Sequence, residues 1–142
     1  MSDKKLNAQK DYPLAQKRPD LLKTPTGKKL NDITLEKVMN GEVKPEDVRI
    51  SPETLELQAQ ISDSDGRKAV SRNFRRAAEL IAIPDKRLLE IYNALRPYRS
   101  SREDLIEIAE ELEEKYDAEI NGAFIREAAE VYDKRKKLRK EE

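Results

Sequence analysis

The sequence predicts an all-α protein of about five helices, joined by Pro, Gly and Ser turns and preceded by an extended, non-regular N-terminal arm. Apolar residues recur at spacings of three and four along most of the chain after residue 31. No segment of useful length alternates apolar and polar residues as a half-buried strand would. Charged residues make up 41% of the chain and hydrophobic residues 37%, so the helices must share a thin core.

The composition limits the chemistry available to the chain. Its 142 residues suffice for one domain, and 29 basic and 29 acidic side chains cancel, which removes the overall field that favours nucleic acid. The absence of His and Cys excludes histidine bases, cysteine nucleophiles, disulfides and ordinary zinc sites. The N-terminus lacks an apolar signal core, and no window reaches the ~20 apolar residues of a membrane span. We therefore expect a cytoplasmic protein.

The predicted organisation is an arm over residues 1–31 and a single helical domain over residues 32–142. The arm contains three prolines and a glycine and shows no lasting period. Its apolar residues are concentrated at 12–14 and 21–22, spaced like anchors on an extended strip. Either the arm is a disordered tail, or it becomes ordered only against another subunit and wraps that partner.

Three turn signals delimit the first predicted helices. Residues 32–40 can form two turns, with Ile33, Leu35, Val38 and Met39 as the apolar side. Gly41 then supplies the left-handed position after the helix. A second helix begins at Ser51, where a capping hydroxyl and a proline at the first position agree. It should end near Asp63–Gly66, a turn that lacks two of the carboxylates required by a calcium loop.

The next predicted helix spans residues 67–81 and has two contrasting faces. A dense basic face can bind phosphates, yet no aromatic residues interleave with it to support that use. A solvated face, or one paired with an acidic partner, is the favoured interpretation. The basic residues are Arg67, Lys68, Arg72, Arg75 and Arg76. The residues predicted to be buried are Val70, Phe74, Ala77, Ala78 and Ile81.

A helix beginning near Pro84 is predicted to end at Arg96, because Pro97 disfavours a helical residue before it. The corner at residues 96–99 then carries an aromatic ring and two guanidiniums on a rigid turn. Such a corner is either a packed joint between helices or a docking surface. The preceding helix should bury one face formed by Leu88, Leu89, Ile91, Tyr92 and Leu95.

Two further helices complete the predicted fold. The first begins with Ser100 paired with Glu103 in a capping box, or with Ser101 followed by acidic residues. Its apolar stripe consists of Leu105, Ile108, Ala109, Leu112 and Tyr116. The opposite face, expected to be solvated, carries Glu107, Glu110, Glu111, Glu113 and Glu114.

The last helix should run from Asp117 or Glu119 to Leu138. Gly122 in its interior weakens it by up to ~1 kcal/mol, unless close packing requires a bare backbone there. Its predicted buried residues are Ile120, Ala123, Phe124, Ala128, Val131 and Tyr132.

The residues alone predict no reaction centre. Catalysis needs groups of different pKa held together in a dry pocket, whereas the ionisable residues here lie on the outer faces of helices. A non-catalytic, partner-dependent helical protein is therefore favoured over an enzyme acting alone. The alternative is a stand-alone helical binding module, which would bind an acidic partner or nucleic acid through the face from Arg67 to Arg76.

Six long segments of the sequence stand out as specific. They are DYPLA (11–15), LNDITLEKVMNGEV (30–43), DVRISPETLELQAQI (47–61), SRNFRRAAELIAIPD (71–85), EIYNALRPYRSS (90–101) and AFIREAAEVYDKRKKLRK (123–140). These segments resemble one protein family, the small or gamma subunit of adenosylcobalamin-dependent glycerol dehydratase and of the related diol (propanediol) dehydratase. The similarity covers nearly everything after residue 10.

The resemblance implies a lyase of two large, two medium and two small subunits, alpha2-beta2-gamma2. It dehydrates glycerol to 3-hydroxypropionaldehyde, or 1,2-diols to aldehydes, by radical chemistry. Adenosylcobalamin and potassium would be bound by the other subunits, while this chain stabilises the large catalytic subunit. The resemblance implies no catalytic, cofactor-binding or metal residue on this chain, and neither nucleic acid nor a membrane as partner. The short segment before DYPLA looks like the glycerol type, and a bacterial microcompartment is an alternative location within the cytoplasm.

The residues expected to contact partner subunits fall in the arm and around the corner. Aromatic rings and guanidiniums are favoured at the centres of interfaces. The candidates are Tyr12, Pro13, Leu14, Tyr92, Arg96, Pro97, Tyr98 and Arg99.

Overall fold

The computed structural model describes residues 5–140, and regular structure in this range is helical apart from an isolated bridge between Lys23 and Lys29. The predicted all-α class is confirmed. The chain divides into two compact units, unit 1 ending at Ala78 and unit 2 beginning at Glu79. The boundary proposed from sequence after residue 31 lies inside unit 1, and the separate wrapping role of residues 1–31 stays a prediction.

The described residues form eight α-helices, of which the last five have ten residues or more. Short 3-10 turns lie at Pro19–Leu21, Leu30–Asp32 and Pro45–Val48. The α-helices are α1 (Ala8–Asp11), α2 (Leu14–Lys17), α3 (Leu35–Met39), α4 (Pro52–Ser64), α5 (Lys68–Leu80), α6 (Asp85–Ala94), α7 (Arg102–Tyr116) and α8 (Glu119–Lys134).

The described part of the arm contains single helical turns that periodicity did not predict. Asn7 begins α1 by accepting a 3.0 Å hydrogen bond from the Gln9 N–H. Leu6 and Leu14 are buried with Ile61 of α4 in a small apolar cluster. The described part of the arm therefore packs on its own unit. Turns of four residues are too short to show a 3.6-residue period.

Helix α3 is shorter than predicted and buries none of its residues. Thr34 caps it, and Gly41 has the predicted left-handed conformation, with φ +80°. Leu35 and Met39 are 78% and 80% exposed, so the predicted apolar side of this helix is not covered within the described chain.

The start and end of α4 agree with the prediction. The Ser51 hydroxyl accepts a hydrogen bond from the Thr54 N–H, and Pro52 is the first helical residue. The helix ends at Ser64, and Gly66 follows with φ +76°. Its inner face buries Leu55, Ala59 and Ile61.

Helix α5 faces a different way from the prediction. Val70 and Ile81 are 43% and 41% exposed, whereas Ser71 is the buried residue of the helix, at 1%. The orientation of the helix is explained by polar contacts. Arg75, one turn after Ser71, donates hydrogen bonds to the Glu56 carboxylate and to the Ser71 hydroxyl. These contacts turn Ser71 inward and leave much of the predicted apolar face at the surface.

Unit 2 is organised around α7, whose predicted stripe is confirmed. Leu105, Ile108, Ala109 and Leu112 are buried, and Tyr116 packs at the edge of the same cluster. Helix α8 packs against this stripe but is rotated relative to the prediction: Asn121, Ile125 and Ala129 are buried, while Ala123 and Phe124 are exposed. It ends at Lys134 rather than Leu138.

The single face predicted for α6 divides into two. Ile91 is buried and Leu88 and Leu95 pack on the core, whereas Leu89 and Tyr92 are 65% and 74% exposed. The helix ends at Ala94, two residues before the predicted Arg96. Residues 88, 91 and 95 lie on one side of a 3.6-residue helix, and 89 and 92 on a neighbouring side.

Gly122 lies where α7 and α8 pack closely. A β-carbon there would be 2.5 Å from the Glu113 Cγ, too close for any real contact. Glu113 in turn pairs with Arg126 of α8 at 2.7 Å. The bare backbone therefore makes room for an inter-helix ion pair, which accounts for a glycine inside a helix.

Candidate subunit interface

The corner at residues 96–99 is a joint within unit 2. The Tyr98 N–H donates to the Lys137 carbonyl at 2.7 Å, and the Arg139 N–H donates to the Ser100 carbonyl at 2.8 Å. Tyr98 has φ +67°, in the left-handed region that non-glycine residues rarely occupy. Two backbone hydrogen bonds to the segment after α8 therefore hold the turn in its shape.

Side chains around the corner strengthen the same joint. The Ser100 hydroxyl donates to the Ala94 carbonyl at 2.8 Å, and the Tyr132 hydroxyl donates to the Leu95 carbonyl at 2.6 Å. Both contacts satisfy carbonyls at the end of α6 that have no partner within that helix. Ser100 is thus occupied at the end of α6 and does not start α7.

Helix α7 begins with a capping box formed by Ser101 and Asp104, and the predicted pairing of Ser100 with Glu103 is wrong. The Asp104 N–H donates to the Ser101 hydroxyl at 3.1 Å, and the Ser101 N–H donates to the Asp104 carboxylate at 2.8 Å. The second bond holds the pKa of Asp104 below its usual range. Arg139 also pairs with Asp104 at 3.0 Å.

The corner leaves the predicted contact residues at the surface. Tyr92 and Tyr98 are 74% and 51% exposed, and Arg96, Pro97 and Arg99 are exposed as well. The Tyr98 hydroxyl accepts a 2.7 Å hydrogen bond from Lys137 Nζ. The corner is therefore a joint through its backbone and an exposed surface through its side chains, and its contact with a partner stays a prediction.

The structure separates the three candidates of the arm. Tyr12 is 61% exposed, Pro13 is half-buried, and Leu14 is buried at 8%. The peptide bond between Tyr12 and Pro13 is cis. All three line an open groove of about 480 Å³ in unit 1. Its other lining residues are Ala15, Leu22, Thr54, Gln58, Ile61, Ser62, Arg67, Val70 and Phe74.

Unit 1 also contains a buried carboxylate that sequence reasoning missed. The Asp47 side chain is 1% exposed and lies 2.9 Å from Lys28 Nζ. It also accepts hydrogen bonds from the Thr26 hydroxyl and, at 2.8 Å, from the Lys44 N–H. The backbone donor is the main reason that the pKa of Asp47 falls to about 2, and the Thr26 and Lys28 donors add to it. This cluster ties the 3-10 turn at Pro45–Val48 to the preceding loop.

Several predicted charged faces are partly neutralised within the units. Arg75 donates to Glu56 at 3.0 Å and pairs with Asp63 at 2.9 Å, which together raise its pKa above the usual value. Arg87 of α6 pairs with Glu111 of α7 and lowers the pKa of that carboxyl. Arg75, Glu111 and Glu113 are thus structural ion-pair residues, contrary to the expectation that they lie on simple solvated faces.

Glu79 of α5 caps the start of α8, a role that no sequence pattern predicts. Its two carboxylate oxygens accept hydrogen bonds from the Ile120 and Asn121 N–H groups, both at 2.9 Å. These donors lie at the start of α8, where Ala118 offers no side-chain cap. A residue 41 positions earlier therefore does the capping. No local motif could reveal this, because the contact is tertiary.

Within residues 5–140, no three acidic side chains approach one another closely enough to hold a metal ion. The most deeply buried carboxylate, Asp47, already has a lysine as counter-ion. The surface features that remain are the exposed apolar and aromatic side chains, which suit contact with other proteins.

Comparison with known proteins identifies the class of protein. The family model described as dehydratase small subunit matches residues 7–139. The chain therefore belongs to the dehydratase small-subunit family. It is 57% identical to the propanediol dehydratase small subunit of Salmonella typhimurium. The aligned 129 residues cover 91% of this chain and 75% of that protein. The propanediol dehydratase small subunit of Citrobacter freundii gives the same identity and coverage.

Membership of this family makes the chain a non-catalytic subunit of a multi-subunit dehydratase, an enzyme of the hydro-lyase class. The family resemblance carried by the six sequence segments is thereby confirmed. Of the helices described, none is long and apolar enough to cross a membrane.

Proposed function

We propose that this chain stabilises the large subunit of an adenosylcobalamin-dependent diol or glycerol dehydratase. The observation that carries the proposal is the family match across residues 7–139, together with the propanediol dehydratase subunits to which the chain is 57% identical. The enzyme would consist of two large, two medium and two small subunits and would work in the cytoplasm, free or within a microcompartment.

The surface of unit 1 supports a role in assembly. Six large apolar side chains between residues 30 and 50 are more than two-fifths exposed in the described chain. Covering side chains of this kind with a partner removes apolar area from water and so favours assembly. The residues are Leu30, Leu35, Val38, Met39, Val48 and Ile50.

Adenosylcobalamin and a potassium ion belong, in this proposal, to the other subunits. The proposal is supported by the described residues, among which no group of three acidic side chains could hold a metal ion. The buried Asp47 is paired with Lys28, and the partly buried Glu111 is paired with Arg87. Neither carboxylate is left to coordinate a cation. The cofactor would supply the radical that starts the dehydration, and this chain would stabilise the large subunit in which the reaction takes place.

Substrate choice is a separate part of the proposal. Both relatives are named for propanediol. We propose a 1,2-diol as the substrate class, with glycerol as the other member to be tested, and the selection between them made by another subunit. Exchanging this chain for a glycerol-type small subunit should leave the ratio of the two activities unchanged.

Co-expression tests the proposed role. The large and medium subunits encoded with this chain are produced with and without it, and soluble yield and diol dehydration are measured after adding adenosylcobalamin. We expect a soluble, active complex that retains this chain through size-exclusion chromatography. An equally soluble and equally active complex without it would contradict the proposal.

The earlier alternative, a nucleic-acid module acting through Arg67 to Arg76, receives less support. Arg67 pairs with Asp65 at 2.7 Å and Arg75 pairs with Asp63 and Glu56, so part of that charge is neutralised internally. Steep salt-dependent binding of DNA by the full chain would bring it back.

A further inference from the structure

The exposed side of α6 and the turn after it carry an unusual combination of side chains in unit 2. Leu89 and Tyr92 are 65% and 74% exposed, and Tyr98 is 51% exposed. Arg96 and Arg99, in the turn after α6, are exposed as well. We call these five residues the corner surface.

The corner surface has a local excess of positive charge. Residues 91–102 contain three arginines and no acidic residue, although the whole chain has equal numbers of basic and acidic side chains. Among the described residues, no carboxylate forms an ion pair with Arg96, Arg99 or Arg102. Arginines that do have carboxylate partners are Arg18, Arg67, Arg75, Arg87, Arg126 and Arg139.

The backbone holds this surface in a fixed shape. Tyr98 has φ +67°, and its N–H is bonded to the Lys137 carbonyl at 2.7 Å. The Arg99 carbonyl accepts a further contact from Arg139 at 3.4 Å. A strained residue that its surroundings hold in place is a feature of functional sites, and a pre-shaped turn loses less entropy on binding.

We propose that the corner surface docks onto a face of another dehydratase subunit that combines carboxylates with apolar side chains. Guanidiniums without a carboxylate partner are available to pair with an acidic surface, and bidentate pairing with carboxylates is the geometry that arginine favours. The exposed leucine and tyrosine would gain from apolar cover. This proposal rests on the proposed function, because it presumes that the chain assembles with such subunits.

Two other occupants fit the surface less well. A nucleic-acid backbone would pair with the arginines but would leave Leu89 without apolar contact. A second copy of this chain could offer the exposed acidic row on α7, formed by Glu103, Glu107, Glu110 and Glu114. That row carries carboxylates alone, so it would leave Leu89 and Tyr92 uncovered.

The test measures binding of fluorescently labelled full-length chain to the co-purified large and medium subunits. The charge-reversed double variant Arg96→Glu/Arg99→Glu should bind at least about tenfold more weakly, and Tyr92→Ala about tenfold more weakly. The double variant Arg96→Lys/Arg99→Lys should lie between parent and reversal, because it keeps the charge but loses the planar fork. Arg72→Glu, a single charge reversal at an exposed arginine on α5, should stay within about threefold of the parent.

The outcomes distinguish this inference from the proposed function. If the parent chain fails to bind the other subunits, the proposed function fails. If the parent binds and the corner variants bind equally well, or if Arg72→Glu is just as damaging, the docking site is wrong. It is also wrong if the corner arginines prove necessary only for binding a DNA 20-mer, or only for self-association measured by sedimentation. Circular dichroism melts of each variant check that these exposed substitutions leave the fold intact.

Discussion

Unit 1 and unit 2 are stabilised in different ways. In unit 2, nine buried apolar residues from α7, α8 and the segments around them form one cluster. The corresponding cluster in unit 1 consists of Leu6, Leu14 and Ile61. Among the described residues, unit 1 instead contains the ion pair between the buried Asp47 and the partly exposed Lys28, together with the exposed apolar side chains between residues 30 and 50. The thin core predicted from composition is therefore unevenly shared.

This difference indicates that the two units depend to different extents on packing within the chain and on contact with a partner. Helices with a continuous buried stripe gain most of their stability from packing within the chain. A unit that holds its loops by polar contacts and leaves apolar side chains in water gains more from covering that surface with a partner. The fold of unit 2 should thus tolerate substitutions at its surface and lose stability through its core, whereas the stability of unit 1 should respond strongly to assembly.

The largest expected effect comes from the core of unit 2. Leu105 is fully buried, so Leu105→Ala should lower the free energy of unfolding by about 2–5 kcal/mol through lost burial and a cavity. Leu89→Ala, on the exposed side of α6, should change it by less than about 0.5 kcal/mol. Urea unfolding followed by circular dichroism compares the two. Similar losses for both would mean that unit 2 is not organised around α7.

The arm provides the next test, because the structure separates two residues that the sequence grouped. Leu14→Ala should cost about 2 kcal/mol of stability, since Leu14 is buried in the small cluster of unit 1. Tyr12→Ala should leave stability nearly unchanged and weaken binding to the other subunits, since Tyr12 is 61% exposed. Unfolding and subunit titration are measured on both variants. Equal binding by Tyr12→Ala and the parent would remove Tyr12 from the interface.

Asp47 gives unit 1 a dependence on pH. Its pKa is about 2 in the folded chain against an ordinary 3.8, so it stabilises the fold fully above about pH 4. That contribution is lost as the pH falls from about 4 towards 2. Asp47→Asn should be less stable than the parent at pH 7, and the gap should shrink over that acidic range.

A matched control for Asp47 lies in the same turn. Glu46 is exposed, so Glu46→Gln should follow the parent from pH 7 to pH 2. Urea midpoints at several pH values measure all three proteins. A gap between Asp47→Asn and the parent that stays constant with pH would show that the carboxylate acts by shape rather than by charge.

The smallest predicted effect is a gain. Lys136 follows α8 with φ +54°, a left-handed conformation that glycine adopts without strain. Lys136→Gly should raise the free energy of unfolding by up to about 1 kcal/mol. Lys134→Gly, inside the last turn of the same helix, should lower it by a similar amount. Changes of the same sign in both variants would contradict this account of the helix end.

The sequence predicted best where local signals agree. Ser51 with Pro52 fixed the start of α4, and the stripe from Leu105 to Leu112 fixed the buried face of α7. Both depend on neighbours within a few residues. A glycine inside a predicted helix also indicates close packing at Gly122, although only the structure shows that Glu113 occupies the space.

The remaining features depend on contacts between distant residues. The orientation of α5 follows from Arg75 reaching Glu56, and the start of α8 from Glu79 reaching Ile120. Periodicity cannot choose which of two adjacent apolar rows is buried, and it therefore grouped Leu89 with Ile91 on α6. The interface candidates came from composition and family resemblance, and the structure adds which of their side chains are exposed.

Hydrogen exchange of the chain alone and in the assembled dehydratase tests the contrast between the units most directly. Amides of α7 and α8 should be protected in both samples. Amides between residues 30 and 50 should exchange quickly in the isolated chain and become protected on assembly, because their apolar side chains then acquire a partner. Equal protection of residues 30–50 in the two samples would contradict the account.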